Sequence, residues 1–186
     1  MEINETLYVA TREEWRAWLG ANHALKPEIW LVSYRVHTGR PSLPYNGAVE
    51  DALCYGWIDS IRKRIDGESN AQRFTPRKAG SSYSQTNKER LARLVDRGKV
   101  ILSVLENLGD YRPETYQIPD DILSALQENE AAWNFFQTTS PSYQRIRAAY
   151  VDAARKRPGE FDKRLANLVK RSAKCKQFGY GIKDYY

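Results

Sequence analysis

Arginine, aspartate and hydroxyl side chains lie close together in the stretch from Cys54 to Asn87. The guanidinium group of arginine presents a planar fork of N–H donors that suits phosphate or carboxylate. The free backbone N–H groups at the start of a helix also favour anions. This combination predicts a site for a small anionic ligand, formed by Trp57, Asp59, Arg62, Arg73, Thr75, Arg77, Ser82, Ser84 and Asn87.

The polar and aromatic members of this predicted site have alternative interpretations. Ser82 and Ser84 could contact the ligand or cap a helix. Thr75 and Asn87 could add polar contacts, although Asn87 could equally bond the backbone near the helix start. Trp57 could wall a pocket or stack on a base, but aromatic side chains in such a chain are more often core residues.

Asp59 is the candidate chemical group of the site. It alternates with Trp57 and Ile61, which places it on the apolar face of a strand, and a buried carboxylate needs a partner. In the structural interpretation, which we favour, Asp59 forms an ion pair with Arg73 or Arg77. In the alternative, Asp59 is a general base or orients an arginine in an enzyme that stabilises an anion.

The net charge of +6 is divided into alternating blocks. Residues 60–97 carry a net +6 and residues 143–176 a net +8, whereas residues 1–59 and 98–142 are net acidic. Two basic blocks on one face of the fold would bind nucleic acid. The alternative is that the acidic blocks neutralise the basic ones.

Several other classes of protein are disfavoured by composition. No apolar run approaches the ~18 residues of a membrane span, and the acidic start does not resemble a secretory signal, so we expect a cytoplasmic protein. Cys54 and Cys175 match no metal or redox spacing, and His23 and His37 have no neighbouring cysteine. We therefore predict no metal and no cofactor.

Hydrophobic periodicity and turn residues predict an α+β fold. We expect a small antiparallel sheet with flanking helices in residues 1–109 and a helical C-terminal part, residues 110–186, packed on it. The aromatic stretch 178–186 could pack on the fold or stay loose. The predicted helices span residues 11–20, 48–55, 84–97, 99–108, 120–128, 130–137, 141–156 and 159–174, and the predicted strands span residues 28–36, 57–65 and 71–75. Thr11 and Glu14 have the spacing of a capping box, and Asp120, Asn129 and Ser140 are predicted N-caps.

The predicted hairpin positions the candidate site. Strict alternation along the strand 57–65 would place Trp57, Asp59 and Ile61 on one face and Arg62 on the other. Pro76 cannot donate a ladder hydrogen bond and should end the returning strand. The chain would then pass through a polar loop into the helix capped by Ser84.

Four segments resemble a known family: G-W-I-D-S (56–60), Q-R-F-T-P-R (72–77), S-S-Y-S-Q-T-N (81–87) and A-A-W-N-F-F-Q-T-T-S-P-S-Y (131–143). They are similar to the YdeI/OmdA-like family, also called bacteriocin-protection proteins. Two departures are Tyr83, where the family usually has tryptophan, and segment 155–165, which lacks the family's usual Thr-Arg pair. The resemblance implies a cytoplasmic bacterial protein linked to envelope stress or bacteriocin tolerance, without implying a known reaction.

Three functional hypotheses follow. The first is a non-enzymatic protein that binds a small anionic ligand or a protein partner through residues 57–87. The second is nucleic-acid binding through the blocks 60–97 and 143–176. The third is an enzyme that uses Asp59 with arginine-assisted stabilisation of an anion. The sequence does not specify the oligomeric state.

Overall fold

The computed structural model of the protein describes residues 2–179. Met1 and residues 180–186 lie outside the described residues, and with them most of the aromatic stretch 178–186. The chain groups into two units. The first contains the residues up to Ser82 together with Arg93–Asp110, and the second contains Tyr83–Ala92 together with the residues from Tyr111 onward.

A four-stranded sheet forms the framework of the first unit, with the strand order β1-β2-β4-β3. The two long strand pairs, β2 with β4 and β3 with β4, are antiparallel as predicted, and the α+β class is confirmed. The parallel edge strand β1 was not predicted, because three residues are too few to show a strand pattern. The strands are β1 (Thr6–Tyr8), β2 (Ile29–Tyr34), β3 (Trp57–Arg64) and β4 (Ser69–Pro76).

Four helices lie along the chain up to residue 110: α1 (Arg12–Asn22), α2 (Tyr45–Cys54), α3 (Gln85–Asp96) and α4 (Leu102–Leu105). Helix α1 begins with a capping box in which the Thr11 hydroxyl accepts from the Glu14 N–H and the Glu14 carboxylate accepts from the Thr11 N–H. The predicted helix 99–108 shrinks to the four residues of α4, because the Ile101 N–H is bonded to the Cys54 carbonyl instead. Single turns of 3-10 helix occur at Val36–Thr38 and Pro113–Thr115.

Aromatic side chains hold α1 against the sheet. Trp15 packs on Phe74 of β4 with ring centroids 5.3 Å apart, and Trp18 meets Trp57 of β3 edge to face at 5.7 Å. Trp57 is only 1% exposed, and its indole N–H donates to the His23 carbonyl. Trp57 is therefore a core residue and does not line an open pocket.

A β-bulge in β3 changes which side chains share a face of the sheet. Asp59 lies opposite Phe74, but Arg62 lies opposite Gln72, so β3 has one more residue than β4 over this interval. One extra residue reverses the alternation beyond it. The predicted alternation is wrong from this point on: Arg62 shares the face of Asp59.

The second unit is helical, as predicted. Its core contains Ile122, Leu126, Phe136 and Leu168, each at most 2% exposed. The predicted caps Asn129 and Ser140 are confirmed, since their side chains accept from the N–H groups of Ala132 and Tyr143, but Asp120 lies inside its helix. The helices of the second unit are α5 (Asp120–Gln127), α6 (Glu130–Thr138), α7 (Pro141–Asp152) and α8 (Glu160–Ser172). Among residues 2–179, no helix has both the length and the apolar character to cross a membrane.

Candidate functional site

The sheet separates the residues that the sequence predicted to form one site. Asp59 lies on the face that packs against α1, together with Phe74. Arg73 alternates with Phe74 along β4 and is paired in register with Trp30, so it lies on the opposite face, and Thr75 lies there with it. The expectation that Arg73 and Asp59 lie side by side is therefore wrong.

Arg73 has a different carboxylate partner. Its Nε and Nη2 lie 2.6 and 2.5 Å from Glu28 Oε2, and both side chains are mostly buried. Asn4 donates a further hydrogen bond to Glu28. The hydrogen bonds from Asn4 and from Arg73 lower the pKa of Glu28.

Asp59 forms no ion pair with any described residue. Its Oδ2 accepts from the Tyr45 hydroxyl at 2.7 Å and, more weakly, from Gln72 Nε2 at 3.4 Å. Arg77 is engaged elsewhere, because its Nη2 donates to the carbonyls of Ser81 and Ser82 at 3.0 and 2.9 Å. The predicted pair of Asp59 with Arg73 or Arg77 is wrong, because one arginine lies on the other face and the other braces its own loop.

The last three residues of the predicted site, Ser82, Ser84 and Asn87, are divided between the two units. Ser82 belongs to the first unit, whereas Ser84 and Asn87 belong to the second. Ser84 caps α3 as predicted, since its hydroxyl accepts from the Asn87 N–H at 3.3 Å. The Asn87 side chain accepts from Arg90 Nη1 at 2.9 Å. Ligand binding by these residues stays a prediction.

A different cluster of charged side chains lies between α1 and α2. Arg12 and Arg16 are one helical turn apart on α1, so they project from the same side of the helix toward Asp51 of α2. Trp15 fixes the two helices relative to each other, because its indole N–H donates to the Ala48 carbonyl at 3.0 Å.

Asp51 is the centre of this cluster. Its side chain is 1% exposed, and both oxygens accept from Arg12, with Nε–Oδ2 and Nη2–Oδ1 distances of 2.8 Å. Arg16 Nη1 lies 3.0 Å from Oδ1. The hydrogen bonds that Arg12 donates to Asp51 raise the pKa of Arg12, so the guanidinium stays charged. One buried carboxylate thus holds two arginines in fixed positions.

The backbone of α2 leaves space for this arrangement at Gly47. A Cβ atom on Gly47 would lie 3.2 Å from Arg12 Cδ, so the absence of a side chain lets the Arg12 stem cross the helix closely. The Arg12 Nη1 also reaches Glu50 Oε2 at 3.0 Å. Arg12 is consequently held by two carboxylates of the same helix.

These arginines line a cleft whose other wall comes from the end of α3 and the loop that follows. The cavity has a volume of about 260 Å³ and is lined by four cationic side chains, two carboxylates and one apolar residue. The side chains of Arg97 and Lys99 are exposed and make no hydrogen bond or ion pair with residues 2–179. We name this cavity the α1–α2 cleft. It is lined by Arg12, Glu13, Arg16, Asp51, Leu94, Arg97 and Lys99.

This cleft was not predicted from the sequence, although part of it has a local signal. Arg12 and Arg16 have one-turn spacing, and Asp51 interrupts the buried face of an otherwise apolar helix, which indicates a buried partner. Arg97 and Lys99 have no such signal, since only the tertiary fold brings them to α1. Local patterns could therefore reveal the Asp51 centre but not the far wall.

The buried thiol of Cys54 lies next to this cluster. Burial raises the pKa of Cys54, an effect that the neighbouring Arg16 partly offsets. Burial and a raised pKa are typical of a thiol that packs in a core. Within the described part of the chain, no group of three or more His, Cys, Asp or Glu side chains could hold a metal ion.

The fold and the cleft thus define an α+β protein with a cleft lined mainly by cationic side chains. Residues 7–106 match the family DUF8412, described as a domain of unknown function. Because this match covers more than half of the chain, the protein belongs to that family. A search of curated proteins and a search of solved structures each found no match.

The C-terminal part has a family match of its own. Residues 115–174 match the family described as bacteriocin-protection, YdeI or OmpD-associated. The predicted YdeI/OmdA-like resemblance is thereby confirmed, and the match includes both the quoted segment 131–143 and the divergent segment 155–165. The motifs quoted from residues 56–87 lie instead within the DUF8412 match.

Proposed function

We propose that this YdeI-like protein binds a small, multiply charged anion in the α1–α2 cleft. The observation that carries the proposal is the buried carboxylate of Asp51, which holds Arg12 and Arg16 beside two further cations, Arg97 and Lys99. Asp51 offsets only part of this positive charge.

Electrostatics and pre-organisation both favour an anion here. Four cations face the carboxylates of Glu13 and Asp51, and Glu50 lies beside Arg12, so the cluster keeps a net positive charge that attracts a counter-ion. Arg12 and Arg16 are already ordered by Asp51, so an anion that binds them loses less side-chain entropy. Arg97 and Lys99 have hydrogen-bond donors that are unused among residues 2–179 and can complete the contacts.

The lining also limits the kind of ligand. A cavity of about 260 Å³ lies below the ~300–1,000 Å³ of drug-sized sites, so the ligand is compact. Leu94 is the one apolar residue of the lining, and no aromatic ring offers a stacking surface. A phosphorylated small molecule or a di- or tricarboxylate fits this chemistry, because both present the planar or tetrahedral oxygens that arginine binds well.

Thermal unfolding in the presence of anions tests the proposal. Inorganic phosphate and citrate should raise Tm above the value in chloride of equal ionic strength, since a ligand at 100 times its Kd adds about 2.7 kcal/mol. In the double variant Arg97→Gln/Lys99→Gln most of this rise should be lost.

The matched control is Arg40→Gln/Lys78→Gln, which removes the same charge from exposed positions outside the cleft. It should keep the rise in Tm. The proposal fails if neither anion raises Tm, or if the cleft variant and the control respond alike.

The family description supports a wider proposal about role. We infer that anion binding serves bacteriocin tolerance, as the description "bacteriocin-protection" suggests. We extend this proposal to envelope stress and to a cytoplasmic location. Survival of a deletion strain complemented with the Arg97→Gln/Lys99→Gln variant, together with cell fractionation, would test it. The enzymatic alternative has less support, because Arg73 and Arg77 do not reach Asp59.

A further inference from the structure

The last helix of the second unit has two sharply different faces. The apolar face of α8 packs in the core of that unit through Phe161, Leu165, Leu168 and Val169. With ~100° of rotation per residue, Lys163 and Lys170 differ by only about 20° around the axis and lie on the opposite side. Lys174 continues the same line just beyond the last helical residue.

This exposed line is uniformly basic. We name it the α8 lysine stripe; it consists of Lys163, Lys170 and Lys174, with Asn167 between the first two and Arg171 at its edge. All five side chains are exposed, and one carboxylate, Glu160, borders the stripe three residues before Lys163. Glu160, the nearest carboxylate on the helix surface, is bonded to Arg164 at 2.8 Å.

Ion pairing distinguishes the stripe from three arginines of the second unit. Arg145 is paired with Glu89, Arg155 with Asp121 and Asp152, and Arg164 with Glu160. The side chains of the four cations of the stripe form no hydrogen bond or ion pair with residues 2–179. Neutralisation by acidic residues therefore accounts for part of the basic block 143–176 but leaves this face charged.

The geometry points to the phosphate backbone of a nucleic acid as the partner of the α8 lysine stripe, and we propose this as a second binding function. With ~1.5 Å of rise per residue, Lys163 to Lys174 spans about 16 Å, the axial length of roughly five base pairs. A straight row of flexible ammonium groups suits a row of phosphates and reads no base sequence.

A membrane surface is the main competing partner for a basic helix. Amphipathic helices bind membranes by burying their apolar face in the lipid, but the apolar face of α8 is already used in the core. Only the electrostatic part of such binding would remain. The proposal is independent of the α1–α2 cleft, because it uses residues of the second unit alone.

Fluorescence anisotropy with the full-length protein tests the proposal. The probes are a labelled 20-base-pair DNA duplex, an RNA duplex of the same length and a 20-nucleotide single strand, each titrated at several salt concentrations. We expect binding to at least one probe. In Lys163→Gln/Lys170→Gln/Lys174→Gln, the slope of log affinity against log salt for a duplex should become shallower by about 2.7, since each phosphate contact contributes ~0.9.

The matched control is Arg35→Gln/Arg40→Gln/Lys78→Gln, which removes three charges from exposed positions of the first unit. It should leave most of the slope unchanged. Glutamine preserves helix propensity, and circular dichroism checks that both variants fold. The proposal is overturned if no probe binds, if both triple variants change the slope equally, or if anionic vesicles bind more tightly than every nucleic acid.

Discussion

At the scale of single residues, the function of a carboxylate follows from its burial and its partners. Asp51 is 1% exposed and bound by two arginines, whereas Asp59 is half-buried and bound by a tyrosine and a glutamine. Only the first can position cations for a ligand. Two aspartates of one unit thus have different roles because their neighbours differ.

The change Asp51→Asn tests this difference. It removes the charge that holds Arg12 and Arg16, and we expect the free energy of unfolding to fall by about 2 kcal/mol. This is less than the ~3–5 kcal/mol for a fully buried pair, because the two guanidinium groups are 44% and 31% exposed and can hydrate. Urea unfolding measures the change.

Asp59→Asn is the matched control. The amide oxygen can still accept from the Tyr45 hydroxyl, so we expect a loss below about 1 kcal/mol. If both variants lose the same stability, the distinction between the two aspartates is wrong.

The lowered pKa of Glu28 predicts how the free energy of unfolding depends on pH. Its folded-state pKa is lowered by hydrogen bonds from Asn4 and Arg73. The stabilisation is therefore present above the unfolded-state pKa of ~4.3 and is lost as pH falls through the folded-state value. Wild type should be more stable than Glu28→Gln at pH 7, and the difference should shrink toward pH 3. Urea unfolding at both pH values measures it, and a difference that grows in acid would contradict the assignment.

At the scale of elements, the junctions between α2, β3 and α4 hold the first unit in register. Gly56 links the end of α2 to β3 and has a φ of +72°. A Cβ atom there would lie 3.1 Å from Val104 Cγ2 of α4. The junction therefore requires glycine for both backbone conformation and space.

The variants Gly56→Ala and Gly80→Ala separate these two requirements. Gly80 has the same φ of +72°, but nothing lies within 4 Å of its Cβ position. Gly80→Ala should cost about 1 kcal/mol for the left-handed backbone, and Gly56→Ala about 1 kcal/mol more for the contact with Val104. Denaturant unfolding gives both values. Equal losses would show that the contact with Val104 is relieved at no cost.

At the scale of the whole molecule, the units do not follow the chain in a single cut. Residues 83–92 of α3 are grouped with the C-terminal helices. There, Glu89 is 4% exposed and accepts from Arg145 at 2.7 Å and from Ser142 at 2.8 Å. The predicted packing of the C-terminal part on residues 1–109 stays a prediction.

Two fragments test this grouping. Residues 83–186 keep Glu89, whereas residues 111–186 leave Arg145, which is 17% exposed, without its carboxylate. We expect the longer fragment to have the higher Tm by circular dichroism, and Glu89→Gln in that fragment to remove part of the advantage. Equal melting of the two fragments would mean that residues 83–92 contribute nothing to the second unit.

What the sequence determined by itself is local. Helix caps and strand ends follow from a residue and its near neighbours. Five of them were predicted: the capping box at Thr11, the caps at Ser84, Asn129 and Ser140, and the end of β4 at Pro76. The α+β class followed from the same signals.

The arrangement of the candidate sites depends instead on contacts between segments that are distant in the chain. One bulged residue in β3 places Arg62 on the face of Asp59, and strand alternation puts Arg73 on the other face. Side chains alternate with a period of two, so a single inserted residue reverses every later assignment. The α1–α2 cleft joins residues that are far apart in the chain, and no local pattern records which distant segments will meet.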